Sequence, residues 1–171
     1  PMTTRWHDGL RIIKACDEMG SIEWKNGVGE GAYSGEDVKD FIWVMCYTGL
    51  RISDVCLFDK SRLKDNGHVF LFAKKNGGDV FTKFPAWLLQ RIRARARRSA
   101  DGRLFVAGPS VRVPTMTDVW RDKITKAFTL AGPIEQAPHP HRFRHTFPRI
   151  LLQKGVKVRD VAEVMGDERK T

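Results

Sequence analysis

Apolar residues recur at helical spacing over most of the chain. Val38, Phe41, Ile42 and Met45 form one such stripe, and Gly49 is a natural stop behind it. Ahead of the stripe, Ser34 with Asp37 three residues on resembles a capping box, with Asp in place of the usual Glu or Gln. Tyr33 stands where a hydrophobic staple packs on Val38. A short helix is predicted over 52–57 and a basic one over 87–98. An amphipathic helix carries Met116, Val119, Trp120, Ile124, Ala127 and Phe128 and breaks at Gly132-Pro133. Two more are predicted over 144–154, stopped by Gly155, and over 158–165, ended by Gly166. Pro148 is tolerable in the first of these when it falls in the opening turn.

The period changes between these helices. Residues 68–75 and 78–84 are rich in Val and Phe, and Asn76-Gly77 between them is a strong hairpin signal. A two-residue turn there sets Lys75 opposite Gly78, Lys74 opposite Asp79 and Phe72 opposite Phe81. Pro85 ends the second strand. The first 32 residues are weakly patterned, with a helix expected around Leu10–Cys16 and a glycine-rich linker at 27–31. The expected fold class is α+β, mostly helical with one small antiparallel sheet. The expected organisation is an N-terminal arm or tail of a preceding domain over 1–32, and a main domain over 33–171.

Composition narrows the partner. The 171 residues hold 30 Lys plus Arg against 20 Asp plus Glu, a net charge of +10. Such an excess favours a polyanion, nucleic acid first and an acidic membrane surface second. Hydrophobic content of 42% is that of a globular protein. Cys16, Cys46 and Cys56 have no CxxC spacing, and Cys46 and Cys56 sit among apolar neighbours, so they read as buried thiols. No signal peptide or membrane span is visible, which sets a reducing, cytoplasmic location as the expectation.

Two clusters carry candidate chemistry. Arg51 follows the Gly49 turn between Leu50 and Ile52, so its stem is expected to be half-buried. A guanidinium so placed needs an acceptor: Asp54 in a structural pair, or a phosphate held bidentately. The second cluster is His139-Pro140-His141-Arg142-Phe143-Arg144-His145-Thr146 at the mouth of a helix, where N–H groups and partial positive charge suit an anion. No Cys or carboxylate stands at metal-ligand spacing beside these histidines, so no metal is expected. Arg91, Arg93, Arg95, Arg97 and Arg98 read as a solvated face or as a phosphate-contacting flank.

Here a resemblance becomes specific. Thr48-Gly49-Leu50-Arg51-Ile52-Ser53-Asp54 resembles the first arginine motif of the tyrosine recombinases, the phage-integrase family. His141-Arg142-Phe143-Arg144-His145-Thr146 is similar to the family's H-x-L-R-H-T box, and Leu151–Val156 and Val161–Gly166 resemble the family's segments C-terminal to that box. The match runs from about Tyr33 to Gly166. It implies the catalytic-domain fold of DNA breaking-rejoining enzymes, with residues 1–32 as the tail of a core-binding domain. It implies Arg51 and Arg144 as the clamp on the scissile phosphate, assisted by His141, with Asp54 and His145 in support. A rival register pairs His139 with Arg142; His141 is preferred because that register places His145-Thr146. The family's general-acid lysine sits at a hairpin turn. Lys75 is chosen over Lys74, whose expected partner is Asp79, and Lys83 is third.

The chain departs from the pattern at Asp167, where the family usually has His or Trp. A carboxylate there repels phosphate unless it is protonated or turned toward an arginine. The nucleophilic tyrosine is expected beyond Thr171, since Tyr33 reads as a staple and Tyr47 as core. The resemblance implies no cofactor, double-stranded DNA as partner, and a homo-tetramer on DNA. The expected function is site-specific DNA recombination or integration in a prokaryotic cytoplasm, on the nucleoid when bound to DNA. The alternative is a non-catalytic module in which residues 150–166 act as a helix-turn-helix. A basic RNA-binding domain ranks third, because no aromatic stacking motif is evident.

Overall fold

A computed structural model describes residues 2–26, 29–72, 79–99, 101–105, 112–134 and 139–165. Their order is α1 (Met2–Ala15), a 3-10 turn (Cys16–Glu18), β1 (Ser21–Asn26), β2 (Gly29–Ser34), α2 (Gly35–Thr48), α3 (Ile52–Cys56) and a second 3-10 turn (Lys60–Arg62). Then come β3 (His68–Phe72), β4 (Asp79–Lys83), α4 (Ala86–Arg98), α5 (Val113–Ala131), α6 (His141–Arg144), α7 (Thr146–Gln153) and α8 (Val158–Met165). The class is α+β and mostly helical, as expected, with two antiparallel two-stranded pairs instead of one.

The central helix is α2. Its start is fixed by a full capping box: the Ser34 hydroxyl accepts from the Asp37 N–H, and the Asp37 carboxylate accepts from the Ser34 N–H at 2.6 Å. Val38, Phe41, Ile42 and Met45 are fully buried. Phe41 stacks on Trp120 of α5 with ring centres 4.4 Å apart and meets Phe105 edge-on at 5.0 Å. The Trp120 indole N–H donates to the Phe105 carbonyl at 2.7 Å, so the largest core side chain buries no unpaired donor. Tyr33 is buried against the Trp120 ring at 4.6 Å, with the Lys123 ammonium 5.1 Å from the centre of its own ring. All three cysteines are free thiols and buried.

The N-terminal segment is more structured than its pattern predicts. The helix begins at Met2, well before Leu10, and Ile12, Cys16 and Met19 join the central apolar cluster. Arg11 clips α1 to the end of α5, donating to the Ala131 carbonyl at 2.7 Å and the Pro133 carbonyl at 3.1 Å, a cation at a helix C-terminus. Gly29 and Gly31 lie in β2, paired with Asn26 and Trp24, instead of in a linker. Glycine's low strand propensity hid this pair. A Cβ on Gly35 would stand 1.7 Å from the Cys16 carbonyl oxygen, so the packing of the 3-10 turn on α2 requires a glycine.

The arginines of α4 divide: Arg97 and Arg98 are exposed, as a solvated face requires, while Arg91, Arg93 and Arg95 bond protein groups. Arg95 is buried and bonds Asp40 at 2.9 Å and Asp37, with its guanidinium 5.1 Å from the Phe105 ring centre. Arg91 bonds Asp40 and Glu36, each at 2.7 Å. Arg93 donates to the Asp65 carbonyl at 2.6 Å. The carboxylates of α2 that turn toward α4 draw Arg91 and Arg95 inward, which periodicity on α4 alone does not reveal.

The hairpin register also differs from expectation. Phe72 pairs with Asp79, Phe70 with Phe81 and His68 with Lys83, so the ladder is shifted by two residues. Phe72 is therefore not opposite Phe81, nor Lys83 opposite Phe70. A shift of two keeps every residue on its own face, so apolar alternation does not distinguish the registers. Tertiary anchoring does: the Thr82 hydroxyl of β4 donates to the Tyr47 carbonyl at the end of α2, at 2.8 Å. Since Asp79 faces Phe72, the reason for preferring Lys75 over Lys74 falls away. Lys74, Lys75 and the Asn76-Gly77 turn themselves lie outside the described residues.

Candidate phosphate site

The site is assembled where α2 ends. Gly49 closes α2 in the left-handed region, φ +67°, and donates its N–H to the Met45 carbonyl at 2.9 Å. The chain turns there and delivers Arg51 as the residue capping α3. Two other helices press on this turn. A Cβ on Gly49 would lie 2.7 Å from the Met165 sulfur of α8 and 2.8 Å from the Phe147 ring of α7. Gly49→Ala is therefore expected to lower stability by about 2 kcal/mol, from left-handed strain and overpacking together. Urea denaturation measures it; an unchanged midpoint would show that α7 and α8 do not pin the turn.

Pro148 shapes the second cluster. It is the third residue of α7, in the opening turn as the sequence requires. It lacks an N–H, and its ring crowds the carbonyl four residues earlier, that of Arg144. One continuous helix from 144 is thereby ruled out, and the chain makes a single turn, α6, a bend at His145, and then α7. Arg144 is buried, and its Nη2 donates to the Met165 carbonyl at the end of α8, at 2.9 Å. The His141 and His145 rings meet edge to face at 5.5 Å.

These pieces converge electrostatically. Burial pushes His141 below the ordinary histidine value, and the charges of Arg144, His145, His139 and Arg51 add to that depression. At neutral pH the imidazole is uncharged and keeps a lone pair. Arg51 is half-buried, and its side chain makes no hydrogen bond or ion pair among the described residues. The Arg51–Asp54 pair is not formed; Asp54 is buried within α3. A desolvated guanidinium beside a neutral imidazole and a second guanidinium is arranged for a bound anion.

The rival register is disfavoured by position. Arg142 lines a cavity of about 420 Å³ with Asp8, Gly9 and Ile12 of α1 and Phe128 of α5. His145 is exposed and lines the same cavity. Asp167 lies outside the described residues, as does Lys75. Tyr33 is buried under Trp120. Tyr47 packs among Trp43 and Trp87, and burial raises its phenol above the ordinary value. Two residues contribute in ways the sequence motifs do not reveal. Met165 takes part through its backbone carbonyl and its sulfur, and His139 through its ring nitrogen, which accepts from the His141 N–H.

The family model described as the phage integrase family matches residues 9–171. The chain belongs to the phage integrase family. Within this integrase family, it is 28% identical over 143 residues to a tyrosine recombinase of Pseudothermotoga lettingae, covering 78% of this chain and 47% of that protein. It is 29% identical over 124 residues to the tyrosine recombinase XerA of Pyrococcus furiosus, covering 70% and 42%. The chain thus spans under half the length of these curated relatives. Among solved structures, XerA recombinase aligns with a TM-score of 0.69 at 19% identity over 95% of this chain and 54% of that one. The lambda integrase catalytic core aligns at 0.66 and 13% identity over 96% and 91%. At such identities the structures speak for the fold, which is that of the integrase catalytic domain.

Proposed function

We propose that this chain is the catalytic-domain part of a tyrosine-type site-specific DNA recombinase, acting on double-stranded DNA through a 3′-phosphotyrosyl intermediate. The observation that carries the reading is the meeting of Arg51 with His141 and Arg144, residues some 90 positions apart in sequence, around a guanidinium that has no side-chain partner among the described residues. In this reading residues 33–171 are the catalytic unit, and residues 1–32, which pack Ile12, Cys16 and Met19 into its core, lead in from a core-binding domain.

The chemistry follows from the groups. Phosphoryl transfer builds charge on the equatorial oxygens, and forked guanidinium donors of Arg51 and Arg144 neutralise it in place. His141, held neutral, accepts the nucleophile's proton or bonds a phosphoryl oxygen. An ammonium from the hairpin, Lys75 or its neighbour Lys74, protonates the departing 5′ oxygen. Asp167 is matched to the place of the family's His or Trp, where a carboxylate repels phosphate unless it is protonated or paired with an arginine. Tyr33 and Tyr47 are committed to packing, so the attacking tyrosine comes from a segment other than these. The covalent step keeps the bond energy for rejoining.

The assembly is a homo-tetramer on DNA in a prokaryotic cytoplasm; a solved lambda integrase tetramer bound to a Holliday junction has this fold, at a TM-score of 0.64. Among the described residues no helix is long and apolar enough to cross a membrane. The chain is expected to bind duplex DNA with an affinity that falls steeply with salt, about 1000-fold or more between 50 and 200 mM for six or more phosphate contacts. Fluorescence anisotropy across that range measures it, and a flat response would exclude a DNA role of any kind. The non-catalytic helix-turn-helix reading is tested by strand cleavage. It is less well supported, because α8 is turned inward on Gly49 through Met165.

A further inference from the structure

The turn that presents His141 and Arg144 is only four residues long, and its hydrogen bonding is nearly complete without outside help. The Arg142 N–H donates to the His139 carbonyl at 3.0 Å, Phe143 to Pro140 at 3.1 Å, and His145 to Arg142 at 3.1 Å. Pro140 has no N–H. Among the described residues the His141 N–H has no backbone acceptor. It donates to the His139 side chain, at Nδ1, over 3.2 Å. His139 does here what Ser, Thr, Asn or Asp usually does at a helix start.

A histidine in that role differs from those residues in one respect. Its Nδ1 accepts a hydrogen bond only while unprotonated, with the proton on Nε2. Once the ring takes a second proton, two N–H groups face each other and the cap is lost. The exposed His139 ring also stands edge to face with the His141 ring at 6.0 Å, so it buttresses the imidazole as well as capping its backbone. The charged and titratable groups around this turn include His141, Arg142, Arg144 and His145 of α6 and its bend, and Arg51 from the end of the α2 turn.

The geometry points to His139 as a positioning residue for the recombinase reaction: a proton-sensitive cap that holds His141, and through the same turn Arg144, toward the phosphate. This rests on the reading of Arg51, His141 and Arg144 as the phosphate cradle. The consequence is that the placement of His141, and with it the cleavage rate, depends on the acceptor at position 139 as well as on His141 itself. Asn at 139 supplies an acceptor that does not titrate in this range, whereas Leu supplies none.

The cap is read first without DNA, by NMR of the chain as it stands. The expected result is the Nε2–H tautomer for His139, and a His141 amide resonance and exchange rate that follow the titration of the His139 ring in the wild type but not in His139→Asn. A His139 ring protonated on Nδ1 at pH 8, or a His141 amide indifferent to that titration, overturns the proposal. The second arm is single-turnover cleavage by the parent recombinase from pH 5.5 to 8.5. His139→Leu is expected to be about fivefold slower at pH 8, the worth of a lost cap. His139→Asn recovers most of that loss and has a shallower acid limb than the wild type. Identical pH profiles for the wild type and His139→Asn would overturn the positioning role. A wild-type protein that never cleaves DNA would instead sink the recombinase reading, while the NMR arm still decides the cap.

Discussion

In a longer form of the protein that supplies the proposed attacking tyrosine, Arg51→Ala is expected to lower the single-turnover rate of DNA strand cleavage by about 100- to 1000-fold and to leave the fold intact. The Arg51 side chain makes no hydrogen bond or ion pair among the described residues, so its removal leaves no protein group unsatisfied there. Stability should change by no more than about 0.5 kcal/mol. Arg144→Ala is expected to lose as much rate, with an added cost in stability of about 1–3 kcal/mol, because the Met165 carbonyl loses its donor. The pair separates charge from architecture. Quenched-flow cleavage of a nicked suicide substrate, with urea melts of each variant, makes the comparison. Cleavage by Arg51→Ala within tenfold of the wild type would remove that residue from the site.

The second large effect lies away from the site, at the clamp between α2 and α4. Arg95→Met is expected to destabilise the protein by about 1–3 kcal/mol at pH 7, since it leaves the buried Asp40 carboxylate with Arg91 alone and takes the guanidinium from the half-buried Asp37. Burial alone pushes the Asp37 carboxyl up, but the Arg95 charge and the hydrogen bonds from Ser34 and Arg95 outweigh it, and the group sits below its ordinary value of 3.8. A carboxyl depressed on folding contributes stability above its unfolded value and loses it as pH falls through the folded one. The wild type should therefore weaken below about pH 4, and the gap to Arg95→Met should narrow there. Denaturation midpoints at pH 7 and pH 3 test this. A gap of the same size at both would show that the clamp is held by packing of the arginine stem instead of by charge.

Much of the frame is legible in the sequence because its signals are local. Ser34 with Asp37, the stripe from Val38 to Met45, and Gly49 with its left-handed φ are set by neighbours within a turn, and each appears as expected. The Arg51 turn and the His141–Arg144 box are equally local as motifs. Their meeting is not local: it depends on Phe147 and Met165 closing on a glycine that has no side chain in the way. The features that differ from expectation are decided at a distance. The β3–β4 register follows from Thr82 reaching Tyr47, the inward turn of Arg91 and Arg95 from carboxylates on another helix, and the N-terminal strand pair from backbone bonding that glycines disguise. The break at His145 was legible in principle, since Pro148 denies Arg144 its helical donor.

The bond from Arg144 to the Met165 carbonyl has a consequence for reach. The chain emerges from α8 at a point tied to the same guanidinium that is proposed to face the phosphate. A reactive group carried on the polypeptide after that point is leashed beside its target, and a short leash means a high effective concentration and a small entropy loss on engagement. Lengthening the leash with inserted glycines would then slow the encounter gradually, while cutting its anchor by changing Arg144 would remove the head start and the clamp in one stroke.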